Sequence, residues 1–224
     1  MSTEMPPVGK ESSSKLQILA TEHWSILATR TLTYNESLSR VNIFLAILSG
    51  AVIALALVAQ ADHFGAAFIS IAIPVLSIVL FAGVATIARL TRLNQDDYRW
   101  VIAMNRLRHG YLDLHPELEP NFTSSQYDDL RGALLTLGID AAAGVSVGSV
   151  LHLPQTLPGM LTVIVAAVGG AITALVALAF GIPAAGVAVA AAAAFVLVLV
   201  LMAVSGRGSY TRTPPSLQPR FPTP

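Results

Sequence analysis

Two long stretches of this chain carry almost no formal charge, and they restrict its fold more than any other feature. Between Asp140 and Arg207 there is no Asp, Glu, Lys or Arg, and between Arg40 and Arg89 the only one is Asp62. A soluble domain has about a quarter of its residues charged, spread to meet water. Here the share is 12%, against 54% hydrophobic residues and a mean hydropathy of +0.67. Blocks this long and this apolar read as helices embedded in lipid, where a spanning segment must satisfy its own backbone.

Each block divides into helix, turn and helix. The first span covers about residues 41–61, enough for the roughly 30 Å hydrocarbon core at about 1.5 Å per residue. Its Ile, Phe, Leu and Val side chains sum to roughly −3 to −6 kcal/mol on an insertion scale, with no charge opposing them. Asp62-His63-Phe64-Gly65 makes a polar turn, and the second span covers about residues 66–88 with Pro74 inside it. That proline removes one backbone donor and predicts a kink that neighbouring helices tolerate. In the second block, Pro158 suits the first turn of a helix. Spans follow at about 159–180 and 184–204, joined by Gly181-Ile182-Pro183. Ala166, Gly170 and Ala174 recur four apart in the third span, as do Gly186, Ala190 and Ala194 in the fourth. Such stripes let membrane helices pack closely, although an alanine-rich helix also produces them by chance. The expected fold is therefore all-α: a polytopic membrane protein of two transmembrane helical hairpins, four spans in all.

Residues 141–153 are apolar but too short to cross, and lengthening them backwards would bury Asp140. That costs roughly 2.5–3.5 kcal/mol, so the stretch reads as interfacial or membrane-dipping. Ala59-Gln60-Ala61 has the small-x-small form of a signal cleavage site, but a long polar stretch precedes it and the apolar run is span-length.

Positive charge sets orientation. Lys10, Lys15, Arg30 and Arg40 precede the first span. Arg89, Arg92, Arg99, Arg106, Arg108 and Arg131 lie between the blocks, and Arg207, Arg212 and Arg220 follow the last span. These are all 13 Lys and Arg residues, and the two short turns hold none. A four-span arrangement puts every one inside, with both termini cytoplasmic in a plasma membrane.

Outside the spans, residues 1–15 and the proline-rich residues 206–224 read as disordered tails, and 116–156 as a cytoplasmic linker. Pro219-Arg-Phe-Pro222 fits PxxP in form, a match expected by chance in such a tail. Residues 16–115 read as a membrane hairpin prolonged into the cytoplasm as an antiparallel helix pair. One seam runs through Leu16, Leu19, His23, Leu27, Tyr34, Leu38 and Val41, the other through Leu90, Leu93, Asp97, Trp100, Met104, Leu107, Tyr111 and Leu114. Asp97 is placed to pair with Arg30 or Arg40, and Glu36 with Arg40 at i,i+4. ELEPNF reads as a loop. Ser124 or Ser125 is placed to cap a short helix through YDDLRGALLTL, with Asp128 and Asp129 near its positive end.

Chemistry is sparse. Net charge is zero, so no global field recruits nucleic acid. The absence of cysteine excludes disulfides and thiolate chemistry. No phosphate-cradling glycine loop, HExxH or paired CxxC is present. The best metal-like cluster is His109, Asp113 and His115 near Glu117 and Glu119, since i,i+4 residues share a helix face. The commoner reading of such a group is a hydrated juxtamembrane charge cluster, with no metal bound. Asp62-His63 is either a proton- or cation-responsive pair or a polar turn at the interface. The span interiors hold no ionisable residue, which argues against ion-coupled transport. Ser49, Ser70, Ser77, Thr86, Thr162 and Thr173 remain as pore-lining or backbone-bonding hydroxyls.

The segments EHWSILATRTLTYNESLSRVNIFLAILSGAVIALALVAQ and MNRLRHGYLDLHPELEPNF resemble a family of bacterial integral membrane proteins to which no activity is assigned. The plan of residues 16–115 is more distantly similar to the SLATT domains. That resemblance implies a two-span membrane effector, some forming pores in nucleotide-signalling conflict systems; the second hairpin departs from that pattern. The resulting expectation is a non-enzymatic, cofactor-free module that self-associates and docks a cytoplasmic partner or senses a signal, with pore formation as one output. A small-solute channel or transporter, and a metal-dependent membrane enzyme using His109, Asp113 and His115, are the alternatives.

Overall fold

An apolar run in lipid must bond its own backbone, and a helix does so within one segment. The structure, a computed structural model, describes residues 7–138, 156–207 and 218–224. Helix α1 is Pro7–Asp62 and α2 is Ala66–Leu114. A 3-10 helix at Pro116–Asn121 and the short α3, Leu130–Thr136, follow. Helices α4, Leu157–Ala179, and α5, Ala184–Arg207, complete the order. No strand occurs among the described residues. Helices α1, α2, α4 and α5 are long and apolar enough to cross a membrane, the build of a multi-pass membrane protein. At 56 and 49 residues, α1 and α2 are each more than twice as long as the roughly 20-residue minimum for a span.

The turns are built from local hydrogen bonds. Asp62 accepts the Gly65 N–H on its carbonyl at 2.8 Å, and the Phe68 N–H on Oδ2 at 2.7 Å. It thereby supplies one of the donors stranded at the start of α2 with a partner. Between α4 and α5, Gly181 takes φ of 72° and donates to Leu178 O, while Ile182 donates to Ala177 O. This is the paired-bond termination that favours glycine at the left-handed position. Thr156 caps α4 by accepting the Gly159 N–H at 3.1 Å. Helix α2 continues through Pro74.

The chain forms two compact units: Glu36–Leu93 with Val145–Arg212, and Met1–Asn35 with Asn94–Gly144 and Thr213–Pro224. In the first, Phe44 of α1, Ala72, Val79 and Leu90 of α2, and Leu161 and Val165 of α4 are buried. Between helices in lipid, close van der Waals contact rather than water exclusion supplies the adhesion. Gly83 shows how close the approach is. A Cβ built there would stand 2.4 Å from Val165 Cγ2 and 3.0 Å from Phe44 Cε2. On α4, Ala166 is fully buried and Ala174 half-buried, and a Cβ on Gly170 would lie 3.1 Å from Ala191 O of α5. Gly186, Ala190 and Ala194 are half-buried on α5, whose Val189, Leu197 and Val204 stay exposed.

The second unit differs from the expected linker and tails. Helix α1 is described from Pro7, inside the tail read as disordered, and carries a Glu11–Lys15 pair at 2.8 Å. ELEPN belongs to the 3-10 helix rather than a loop. The short helix starts at Leu130 and its cap is Asp129, which accepts the Gly132 N–H; Ser125 Oγ instead accepts from Tyr127 N–H in the preceding turn. Residues 218–224, read as part of a disordered tail, are hydrogen-bonded into this unit. The α1 seam holds at its two ends, with Leu16, Leu19 and His23 half-buried and Val41 buried, but is shifted between them: Leu27, Tyr34 and Leu38 are exposed, while Ile26 and Ser37 are buried and Arg30 and Thr33 half-buried. In this middle stretch polar partners on α2, Asp97 for Arg30 and Arg89 for Glu36, set the inward face. The interfacial stretch at 141–153 lies outside the described residues.

Candidate functional site

The ion pairs of α1 and α2 fall outside their charge-free runs, residues 41–61 and 66–88. Arg30 grips Asp97 through Nε and Nη2 at 2.7 and 3.0 Å, the partner choice being Arg30 rather than Arg40. Arg89 likewise forks onto Glu36 at 3.0 Å twice, and Arg40 adds a third bond at 2.8 Å. Arg89 first and Arg40 second hold the Glu36 carboxyl down to about 2.

The most elaborate polar site sits where α2 meets the start of α3. Asp128 is fully buried. Its carboxylate accepts Arg106 Nε at 2.5 Å, the Arg220 N–H at 2.9 Å and the Phe221 N–H at 2.8 Å. Burial alone would push this carboxyl up. The Arg220 N–H, the Arg106 guanidinium and the Phe221 N–H outweigh that and leave it below the usual range. Asp129 caps α3 and also accepts the Thr223 N–H at 3.1 Å and the Thr223 hydroxyl at 2.8 Å. Its carboxyl is likewise lowered, burial being overcome by the Gly132 N–H and Thr223. Gly132 permits the approach, since a Cβ there would fall 2.2 Å from Tyr127 O.

Beneath this lies a second buried face of α2 that the sequence reading missed: Val101, Ile102, Asn105, Arg108 and Leu112. Asn105 organises it, donating to Tyr127 O at 2.7 Å and accepting from Arg108 at 2.6 Å and Thr136 at 3.0 Å. Burial, then the charge of Arg30, lowers the affinity of Arg108 for its proton. The signal available in the sequence was the Val101–Ile102 pair beside the α2 seam, which gives that helix two apolar stripes.

The proposed metal-like residues do not converge. His109 Nε2 stands 3.6 Å from Asp113 Oδ1, whereas His115 Nδ1 pairs with Glu117 Oε1 at 2.9 Å. Among the described residues no three His, Asp or Glu side chains are grouped to hold a metal. The His109 ring instead stacks on Phe221, centroids 3.8 Å apart. The hydroxyls of Ser77, Thr86, Thr162 and Thr173 donate to the carbonyl four residues back, and Ser70 to that three back. Gly144-Val145-Ser146-Val147-Gly148 fits G-x-S-x-G in form and lies outside the described residues. That motif's chemistry requires a strand-to-helix turn and a His–carboxylate pair.

No family model, curated protein or solved structure matches the chain.

Proposed function

We propose that this is a non-enzymatic, multi-pass protein of the plasma membrane that self-associates through its spans and docks a cytoplasmic partner, with both termini in the cytoplasm. Two membrane hairpins anchor it, the first prolonged into the cytoplasm as an antiparallel helix pair. The observation that carries this reading is the segregation of polar structure. The ion pairs fall at residues 11–40 and 89–128, and the span hydroxyls just described are turned onto their own carbonyls. A chain built to move ions would place such groups along a path through the spans. Self-association draws support from α5, whose most apolar stretch has no buried residue and exposes Ala185, Ala188 and Ala192 at helical spacing.

Reporters fused after Val204 and at Gln126 test the orientation: both are expected to report the cytoplasm, and an external signal from either refutes it. Because the chain lacks cysteine, Ala188→Cys gives a single cross-linking handle. Cross-linked dimers in membranes are expected; a monomer there and in mild detergent refutes self-association. Solute flux through reconstituted liposomes would add a pore or channel to this reading, and its absence with and without a cytoplasmic ligand would count against both.

A further inference from the structure

The segment Pro219–Thr223 meets Asp128 and Asp129 with a specific donor pattern. Pro219 and Pro222 have no N–H to offer. The three N–H groups that remain are all taken by the acidic pair: Arg220 and Phe221 by Asp128, Thr223 by Asp129. The direction of the peptide is read as well. Phe221 O accepts the Asp128 N–H at 3.1 Å, and Gln218 O accepts Arg106 Nη2 at 2.6 Å. Side-chain selectivity comes from Phe221 against the His109 ring and from the Thr223 hydroxyl on Asp129. Pro219, Arg220 and Pro222 are exposed, and Phe221 is half-buried.

We propose that Arg106, His109, Asp128 and Asp129 form a recognition site for a linear peptide, and that the chain's own Arg220–Thr223 segment is its displaceable internal ligand. The inference rests on the docking reading above and names its surface. The partner is a segment bent at two consecutive N–H groups, with an aromatic at the second, then proline and a hydroxyl residue. Two features make the ligand exchangeable. The apolar cluster of Val101, Ile102 and Ala133, with Tyr98 packed against it, includes none of the segment's side chains. The contacts are mostly to main chain, which another peptide of the same pattern reproduces. An emptied site costs Asp128 its two main-chain donors, which a peptide of the same pattern restores. The two prolines restrict the segment's backbone on either side of the bend at Arg220 and Phe221 and reduce the ordering cost of binding.

The test uses the full chain in nanodiscs with Pro224→Cys as its single cysteine, spin-labelled. A tethered ligand acts at an effective concentration of about millimolar, so free peptide is supplied at several-fold that level. The peptide QPRFPTP is expected to turn most of the immobile signal mobile, and the same peptide with alanine for phenylalanine is expected to leave it immobile. Asp128→Asn in the labelled chain is expected to mobilise the label without added peptide. A label that is mobile from the outset overturns the proposal. So does one that Asp128→Asn releases but no peptide displaces, which would make the segment a permanent strap. If diluting labelled chains with unlabelled Asp128→Asn chains immobilised on separate discs changes nothing but mixing them on one disc mobilises the label, the segment belongs to a second copy and the internal assignment fails. Apart from the second-copy outcome, which would itself show self-association, these outcomes leave the reporter and cross-linking tests untouched, so either reading can fall alone.

Discussion

Asp128→Asn removes one charge and converts one acceptor into a donor at a fully buried position. The carboxylate serves three donors, Arg106 Nε, Arg220 N–H and Phe221 N–H. An asparagine keeps a single acceptor oxygen, so its amide must face either the guanidinium or the two main-chain N–H groups, donor against donor. Hydrogen bonds to charged groups contribute about 1.5–3 kcal/mol each, and removing one partner of a buried pair costs about 3–5 kcal/mol. The Arg106 side chain is 22% exposed and recovers some hydration, which favours the lower end, about 3 kcal/mol. At 1.4 kcal/mol per factor of ten, that is about a hundredfold in the docking equilibrium of residues 218–224. Amide hydrogen exchange reads it directly: protection at Arg220, Phe221 and Thr223 should fall about a hundredfold while amides of α4 stay unchanged. Adding Arg106→Gln should cost little more, since both changes break one network. Protection at Arg220 and Phe221 within about threefold of the parent would refute the reasoning, because threefold is about 0.65 kcal/mol, below one ordinary hydrogen bond.

Three further outcomes follow from the same structure. Gly83→Ala should lower thermal stability in detergent by about 1–3 kcal/mol despite alanine's better helix propensity, because its Cβ meets Val165; Val165→Ala in the same chain should restore most of it, and stabilisation by Gly83→Ala alone would contradict the packing. The Arg30–Asp97 pair is about a third exposed on each side, so a double-mutant cycle should give a coupling of only about 0.2–1 kcal/mol. Glu36 is depressed to about 2, so the stability it contributes is fully present above an unfolded value of about 4.3 and fades as pH falls through the folded one. Glu36→Gln should therefore lower the unfolding temperature near neutrality and narrow its gap to the parent in acid, and a gap independent of pH would show the clasp to be inert.

Transfer from water to lipid sums residue by residue along a segment, so a linear reading of charge and hydropathy was enough to find all four apolar helices. Turn chemistry is equally local, and Asp62-His63-Phe64-Gly65 and Gly181-Ile182-Pro183 stand where the residues indicate. Pairings across helices are legible only when the partner is near in sequence or chemically scarce, as with Asp97 and Arg30. What tertiary structure alone decided were the face α1 buries between residues 26 and 38 and the fate of residues 218–224. Apolar spacing favours Leu27, Tyr34 and Leu38; the fold buries Ile26 and Ser37 because Asp97 and Arg89 on α2 draw Arg30 and Glu36 inward. Asp128 and Arg220 lie 92 residues apart. The main-chain N–H groups that join them carry no side-chain signature, so no composition of the proline-rich end distinguishes a free tail from a bound one. Only a folded surface, holding a buried carboxylate at the right spacing, makes that choice.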